Sequence, residues 1–295
     1  MFTGVLIGLV SAVMQSSSYV LSRKFVLRFN SPWKLLIYSY LAEGILGGLV
    51  WLSLTPFVSI DYSWKLFAWL IFFTLMACLG GFSFFGALKE IEASRLSSLQ
   101  GIKLIILTLL NLFFVEKFPN IWQYLAVFLA TIAAVGMNFT GGKLKWKGIL
   151  FLLATVFCYS WTDIGAAEIS KLIHSGSKAL DGLCGTSMAF AFCGLFPLLV
   201  FTREKFEKEC FFAAFPYGAM WFSAMILLFI SFCFIGVMYG VIIQATRGVI
   251  SVVMGWLLLK TGLDKSEPVV GASAWIRRAI MAIAMLLAIV LYNYR

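Results

Sequence analysis

Charged residues are scarce in this sequence. They make up 12% of its 295 residues, whereas 62% are hydrophobic. A soluble domain carries about 25% charged residues and under half apolar ones. The shortage excludes an ordinary soluble protein, because too few polar groups are present to cover a water-exposed surface. The sequence therefore predicts that a lipid bilayer is the solvent for most of the chain.

Residue types that build catalytic and metal sites are also few. The only histidine, His174, lies in a polar loop, and the six cysteines form no C-x-x-C pair. Most of the cysteines fall inside apolar runs, where we expect them to pack as small hydrophobic side chains. The sequence contains no Walker-type glycine-rich loop. We therefore expect no catalytic residue, no metal ion, no cofactor and no enzymatic activity.

The basic residues lie in short stretches between apolar runs. The net charge of +10 is thus typical of charges that set membrane topology, and no nucleic-acid partner is expected. Most of these charges lie in the odd-numbered connections between runs, which favours a cytoplasmic location for those connections. Residues 1–10 lack the basic start and the cleavage site of a signal peptide, so we expect the first helix to be retained.

Ten apolar runs divide the chain into predicted membrane spans, numbered 1 to 10. They cover approximately residues 2–22, 33–54, 65–87, 94–115, 120–139, 147–168, 183–201, 216–238, 241–260 and 272–293. A helix needs roughly 20 apolar residues to cross a bilayer, and the strands of a membrane barrel would alternate in polarity instead. We expect the segment from Thr202 to Cys210 to form an amphipathic turn at the membrane interface.

Short sequence matches indicate an internal repeat. Residues 4–10 resemble residues 148–154, and Glu92-Ala-Ser-Arg95 resembles Gln244-Ala-Thr-Arg247. The first match opens spans 1 and 6, and the second opens spans 4 and 9. The predicted halves are residues 1–142 and 143–295. Because each half has an odd number of spans, the halves would have opposite orientations, as in many secondary transporters.

The segment from Glu92 to Asn138 carries a family resemblance. It has a small and polar start, an apolar helix that ends at Phe114-Val-Glu116-Lys117, a turn with Trp and Gln, and a helix that ends near Gly136. In these features the chain resembles the drug/metabolite transporter superfamily, in particular its ten-helix bacterial members with two EamA-type repeats. The insertion from Thr261 to Val270 and the pair Arg277-Arg278 depart from the family pattern.

The resemblance implies an all-α fold: a polytopic membrane protein whose ten helices form two inverted five-helix repeats around a central cavity. Spans 1, 3, 4, 6, 8 and 9 would line this cavity and hold a small metabolite. Family members are drawn with both termini in the cytoplasm, whereas the charge distribution favours the opposite side. The orientation is therefore left open.

Lys103 is the sharpest signal in the sequence, because it lies near the middle of span 4. A lysine at that depth costs at least about 2.5 kcal/mol on insertion scales. It could anchor a substrate carboxylate or phosphate, with Gln100 almost one turn away. The alternative is a structural ion pair, most simply with Glu43 in span 2. Lys103 could have both roles if its ion pair with Glu43 opens when a substrate or a proton arrives.

Two further charged residues lie inside predicted spans. Arg247 follows Gln244 in span 9 and could hold an anion in bidentate fashion, or it could extend to lipid headgroups. Asp163 in span 6 could be a counter-ion for a substrate ammonium or a proton carrier. Alternatively, Asp163 could form a structural ion pair with Arg247 or Lys103.

Polar and aromatic residues on these spans complete the predicted substrate site. The cluster from Gln15 to Tyr19 is too polar to face lipid, and its alternative role is hydrogen bonding between helices. Aromatic rings near polar neighbours could stack on a planar group or enclose a cation, or they could belong to the aromatic belt at the membrane interface. The predicted substrate-binding residues are Gln15, Ser16, Tyr19, Glu43, Gln100, Lys103, Tyr159, Asp163, Trp221, Tyr239, Gln244 and Arg247.

These observations favour a secondary transporter in the inner (plasma) membrane. It would move an anionic or zwitterionic metabolite, such as a nucleoside-derived or phosphorylated compound, by alternating access and as an exchanger. A proton-coupled exporter of amino acids or drugs is the alternative, and a lipid scramblase or a non-transporting membrane protein is the minor one. The expected partners are a small metabolite and the bilayer, and the simplest oligomeric state is a monomer.

Overall fold

The structure, a computed structural model, describes residues 1–91, 96, 99–111, 120–137, 145–247, 250 and 272–292. The helices are α1 (Phe2–Phe29), α2 (Pro32–Leu54), α3 (Trp64–Leu88), α4 (Lys103–Asn111), α5 (Ile121–Met137), α6 (Trp146–Ser170), α7 (Lys178–Cys193), α8 (Leu195–Phe201), α9 (Lys208–Ile235), α10 (Val237–Ala245) and α11 (Ala272–Tyr292). Short 3₁₀ turns cover Thr55–Phe57 and Gln100–Ile102, and two short strands are β1 (Ser59–Ile60) and β2 (Ile173–His174).

Helix ends follow local sequence signals. Ser31 caps α2 by accepting a hydrogen bond from the Lys34 amide at 3.3 Å, and Pro32 occupies the first helical position. Asn30 ends α1 in the left-handed conformation, at φ 47°. Gly236, at φ 82°, is the single residue between α9 and α10. A side chain with a Cβ rarely adopts that φ, so glycine is what allows one residue to connect the two helices.

Five segments are long and apolar enough to cross a membrane by length and composition. They are Pro32–Phe57, Trp64–Leu88, Trp146–Ser170, Lys178–Phe201 and Lys208–Ile235. At the positions of spans 1, 4, 5 and 10 the apolar stretches among the described residues are shorter: Phe2–Ser18, Gln100–Leu110, Ile121–Gly136 and Ile280–Tyr292. The structure is thus an all-α fold suited to a bilayer, and the count of ten spans stays a prediction.

The helices of the two predicted halves interlock. The most extensive contacts join α1 to α9, α3 to α6, α5 to α11 and α2 to α7. Each of these pairs takes one helix from residues 1–142 and one from residues 143–295. Hydrogen bonds reinforce the first pair, since the Ser11 hydroxyl donates to the Ala224 carbonyl and the Ser231 hydroxyl donates to the Gly4 carbonyl, both at 2.7 Å.

Contacts between residues 1–142 and residues 143–295 also join both ends of the bundle. At one end β1 pairs with β2 in antiparallel fashion, with Ser59 opposite His174. At the other end the Lys34 ammonium lies 2.6 Å from the Glu207 carboxylate. The hydrogen bonds from Lys34 and then from the Cys210 thiol lower the pKa of Glu207. That carboxylate therefore stays ionised at lower pH than an isolated glutamate would.

Several predicted boundaries were wrong. The segment from Thr202 to Cys210 is not one interfacial turn, because α9 already begins at Lys208 and carries Pro216 in its interior. The helix at span 7 begins at Lys178, five residues before the predicted start at residue 183, and it is interrupted at Gly194. The polar composition of these segments misled the prediction, since α9 extends its first turns beyond the apolar run. Parts of spans 4 and 9 lie outside the described residues.

Candidate functional site

A cavity of about 60 Å³ lies among helices of both halves. One water needs about 10–15 Å³ by this measure, so the cavity holds several waters or the charged end of a small molecule. Its polar lining residues are Ser39, Tyr40, Glu43, Gln100, Lys103, Tyr159, Thr162, Asp163, Tyr217, Trp221, Gln244 and Arg247. The remaining lining is apolar and half of it is phenylalanine, which is the composition of a small-molecule site.

Arg247 is the centre of a buried hydrogen-bond network. Its Nη1 donates to the Gln15 side-chain oxygen at 2.8 Å, and its Nη2 donates to the Gln100 side-chain oxygen at 2.7 Å. The Gln244 side-chain nitrogen donates to the same Gln15 oxygen at 2.9 Å. Two amide oxygens therefore orient the guanidinium group, and no carboxylate among the described residues forms an ion pair with it.

Lys103 forms an ion pair with Asp163 across the cavity. Its Nζ lies 2.6 Å from Oδ2 of Asp163, and the two side chains are 9% and 4% exposed. The predicted pairing of Lys103 with Glu43 is wrong in this structure, whereas the alternative role weighed for Asp163, a partner for Lys103, is the one observed. The reason is helix packing: α4 contacts α6, which carries Asp163, while α2 packs mainly on α7 and α9.

Glu43 lines the same cavity without an ion-pair partner among the described residues. It is 1% exposed, and neither carboxylate oxygen has a hydrogen-bond partner among the described residues. The neighbouring Ser39 hydroxyl donates to the Leu36 carbonyl at 3.1 Å instead. Glu43 thus differs from Asp163, whose charge is matched by a lysine.

The backbone of span 4 is irregular at the site. Residues Gln100–Ile102 form a 3₁₀ turn immediately before α4, which begins at Lys103. A Cβ on Gly101 would lie 2.2 Å from the Cβ of Ala134, so only glycine allows α5 to approach this closely. A 3₁₀ stretch within a longer helical segment often marks a functional hinge, and here it places Gln100 and Lys103 on the cavity wall.

The other predicted site residues fall into three groups. Tyr159, Trp221 and Gln244 line the cavity together with Glu43, Gln100, Lys103, Asp163 and Arg247. Gln15 and Ser16 lie behind Arg247, and the Ser16 hydroxyl donates to the Ala12 carbonyl at 2.9 Å. Tyr239 is not in the lining; its ring stacks on Tyr292 with centroids 5.4 Å apart. The Tyr19 side chain lies outside the described residues.

Besides Ser39, three polar lining residues were not predicted from the sequence. Tyr40 donates to the Ala77 carbonyl at 2.6 Å, and Thr162 and Tyr217 also face the cavity. Helical spacing could have identified two of them, because Tyr40 precedes Glu43 by three residues and Tyr217 precedes Trp221 by four. Thr162 gives no such signal.

Comparison with known proteins identifies a transporter family that residues 2–139 resemble. The sequence model of the EamA-like transporter family matches residues 2–139. Residues 2–139 are therefore similar to a family of membrane transporters, which supports membership in the drug/metabolite transporter superfamily, and the apolar helices indicate a multi-pass membrane protein.

Solved structures share the fold. A crystal structure described only as "Crystal structure of protein" superposes with a TM-score of 0.63 at 14% identity, over 99% of this chain and 97% of that chain. In all, 28 solved chains match. No curated protein sequence matches significantly. At this identity the likeness shows the fold alone.

Proposed function

We propose that the protein is a secondary transporter that moves a small anionic or zwitterionic metabolite across the inner membrane by alternating access, as an exchanger. The observation that carries the proposal is Arg247, a buried cation that lines the cavity and whose side-chain hydrogen bonds among the described residues go to amide oxygens. A guanidinium group presents five donors in a planar fork that matches a carboxylate or phosphate. The substrate would supply the missing negative charge.

The buried position makes this charge effective. Two unit charges 4 Å apart attract by about 1 kcal/mol in water and by about 4 kcal/mol near a protein surface. Arg247 is 8% exposed and Gln100 is 5% exposed, so an anion that reaches them meets little competing water. The Nε2 group of Gln100 has no partner among the described residues and would donate to the same anion.

Alternating access is supported by where the polar contacts lie. Those of Lys103 with Asp163, Gln100 with Arg247, and Gln15 with Arg247 and Gln244 each join residues 1–142 to residues 143–295. A rocking motion of one half against the other would break and remake them. Binding of a substrate anion at Arg247 would compensate for the bonds that open.

The helix packing supports the two predicted repeats. Helices α1, α3, α6 and α9 lie at spans 1, 3, 6 and 8, and helices α2, α5, α7 and α11 lie at spans 2, 5, 7 and 10. If each span is exchanged for its equivalent in the other half (1 with 6, 2 with 7, 3 with 8 and 5 with 10), the α1–α9 contact becomes the α3–α6 contact. The same exchange leaves the α2–α7 and α5–α11 contacts unchanged. The four most extensive contacts therefore have the pattern that a pseudo-two-fold axis between the halves would produce.

Counterflow in proteoliposomes tests the proposal. Liposomes loaded with a mixture of unlabelled carboxylates and phosphorylated metabolites are expected to accumulate a labelled member of that mixture. Arg247→Gln should lower this uptake at least tenfold, whereas Arg203→Gln, at an exposed loop position, should leave it unchanged. Absence of counterflow for every anion and zwitterion tried would contradict the proposal.

A proton-coupled exporter is the second candidate, and Glu43 is the observation that favours it. A buried carboxylate without a partner is a typical proton carrier in membrane transporters. Uptake by the reconstituted protein distinguishes the two functions. Exchange that is independent of an imposed proton gradient supports the exchanger, while net movement that requires the gradient and is lost in Glu43→Gln supports the exporter.

A further inference from the structure

We propose, as a refinement that rests on the proposed function, that Gly80 and Gly81 of α3 set the upper size limit of the substrate. These two glycines allow the rings of Tyr159 and Tyr40 to lie against the backbone of α3. Both rings line the cavity, whereas neither glycine is among the described residues of the lining. The glycines therefore act on the substrate through the two rings, as positioning residues that hold this wall of the cavity back.

The first contact joins Gly80 to Tyr159 of α6. A Cβ added to Gly80 would lie 2.7 Å from both Cδ1 and Cε1 of the tyrosine ring, whereas ordinary van der Waals contact begins near 3.4 Å. The contact between α3 and α6 is one of the most extensive in the structure, so the two backbones have little freedom to separate. The ring is the part that moves. Because it has α3 on one side and also lines the cavity, it would move into the cavity.

The second contact joins Gly81 to Tyr40 of α2. A Cβ there would lie 2.9 Å from the Tyr40 hydroxyl oxygen and 2.6 Å from Cδ1 of Leu36, which also lines the cavity. The Tyr40 hydroxyl donates to the Ala77 carbonyl at 2.6 Å, so the end of this ring is held across one turn of α3. An added methyl group would displace both side chains towards the open space and disturb this hydrogen bond.

The small size of the cavity makes such displacements important. Its volume is about 60 Å³, and one water needs about 10–15 Å³ by the same measure. An inward shift of a whole ring therefore removes a substantial part of the space for the uncharged part of a substrate. Arg247 and Gln100, which would hold the anionic group, are not among the nearest neighbours of either glycine. The substitutions should thus change the size limit more than the recognition of the anion.

Gly86 provides a matched control on the same helix. A Cβ there would lie 2.8 Å from Cδ1 of Phe151, which is another ring of α6. Phe151 is not among the described residues that line the cavity. Gly80→Ala and Gly86→Ala therefore introduce the same kind of ring clash between the same two helices, and only the first clash is directed at the cavity.

Labelling of a cysteine in the cavity tests the width without any substrate. The labelled position is Thr162→Cys, on the cavity wall three residues after Tyr159, in the full chain with its native cysteines replaced by serine. The reagents are the neutral methyl and benzyl methanethiosulfonates. Gly80→Ala should lower the ratio of the benzyl rate to the methyl rate at least fivefold, and Gly86→Ala should change it less than twofold. Gly80→Ala/Tyr159→Leu should restore the ratio, because the displaced ring is removed.

Thermal-shift titration of the purified protein tests the consequence for ligands. Two pairs of probes share an anionic group and differ in size: acetate with benzoate, and inorganic phosphate with phenyl phosphate. Gly80→Ala and Gly81→Ala should weaken binding of the larger member of a pair at least tenfold, because a pocket with too little space discriminates strongly by size. Binding of the smaller member should change less than twofold, and Gly86→Ala should weaken neither.

Other outcomes overturn the inference. An unchanged labelling ratio in Gly80→Ala would show that the helices separate instead of the ring moving, whether or not any anion is bound. Equal weakening of both members of a pair would show that the glycines do not act on size. Binding and counterflow of large and small anions alike in the glycine variants would refute the size limit and leave the proposed function intact. If the labelling ratio falls but no anion or zwitterion is bound or exchanged, the proposed function fails and the size limit for a substrate fails with it.

Discussion

At the scale of single residues, the four charged side chains of the cavity differ in how their charge is compensated. Asp163 and Lys103 neutralise each other, Arg247 is held by neutral amides, and Glu43 has no partner among the described residues. A buried ion pair contributes little net stability, because desolvation offsets the Coulomb attraction. The pair is therefore better explained by its position between the two halves than by a need for stability.

This interpretation predicts how the pair responds to substitution. Asp163→Asn should destabilise the protein by about 3–5 kcal/mol, because it leaves the Lys103 ammonium buried and unpaired. The double variant Lys103→Met/Asp163→Leu should recover most of that loss and still lack transport. Unfolding in mixed micelles with increasing denaturing detergent measures the first effect, and counterflow measures the second. Full transport activity in the stable double variant would contradict a transport role for the pair.

The presence of an intramembrane lysine could be predicted from sequence, but its partner could not. Glu43 and Asp163 both lie near the middle of apolar spans, so hydropathy gives them equal standing as partners of Lys103. The choice depends on which helices are neighbours, and that follows from long-range packing of α4 on α6. Composition and hydropathy do not show that α4 packs on α6.

At the scale of helices, glycine determines how closely α2 and α7 approach. A Cβ on Gly44 would lie 2.4 Å from the Cα of Gly194, the residue that interrupts span 7. Contact of this kind between backbones is typical of small residues in membrane helices. Glu43 is adjacent to Gly44, so the same close approach fixes where its carboxylate enters the cavity.

Two glycines of α2 provide a matched test of this contact. Gly44→Ala should destabilise the protein by about 1–3 kcal/mol, because the backbone of Gly194 cannot move aside easily. Gly48→Ala, one turn later, places its Cβ where no atom lies within 4 Å and should be neutral or stabilise by up to about 1 kcal/mol. The same detergent-unfolding measurement compares them, and equal stability of the two variants would refute the close-contact argument.

Helix positions were predictable to within a few residues where apolar runs and turn residues agree. Span 2 was predicted at 33–54 and α2 covers Pro32–Leu54; span 3 was predicted at 65–87 and α3 covers Trp64–Leu88. The start of α9 was missed because its first residues are charged and Pro216 resembles a helix start. Charged first turns extend beyond the apolar core, where hydropathy gives no signal.

At the scale of the whole molecule, the described residues close the bundle at both ends. The β1–β2 pair and the Lys65–Glu168 contact, at 3.9 Å, join the halves at one end. Ion pairs of Lys34 with Glu207 and of Lys145 with Glu90 join them at the other. An alternating-access cycle must open each end in turn, so the β1–β2 pair must separate in one of the two open states.

A disulfide across β1 and β2 tests this requirement. Paired antiparallel residues have Cα atoms about 4.5–5.5 Å apart, which suits a disulfide. We expect Ser59→Cys/His174→Cys, in a background whose native cysteines are replaced by serine, to lose at least 90% of counterflow when oxidised and to recover it with a reductant. His174→Cys alone should be active under both conditions, because it forms no bond between the halves. Undiminished counterflow in the oxidised double variant would show that this end stays closed throughout transport, and the two-sided gating of the cycle would then be wrong.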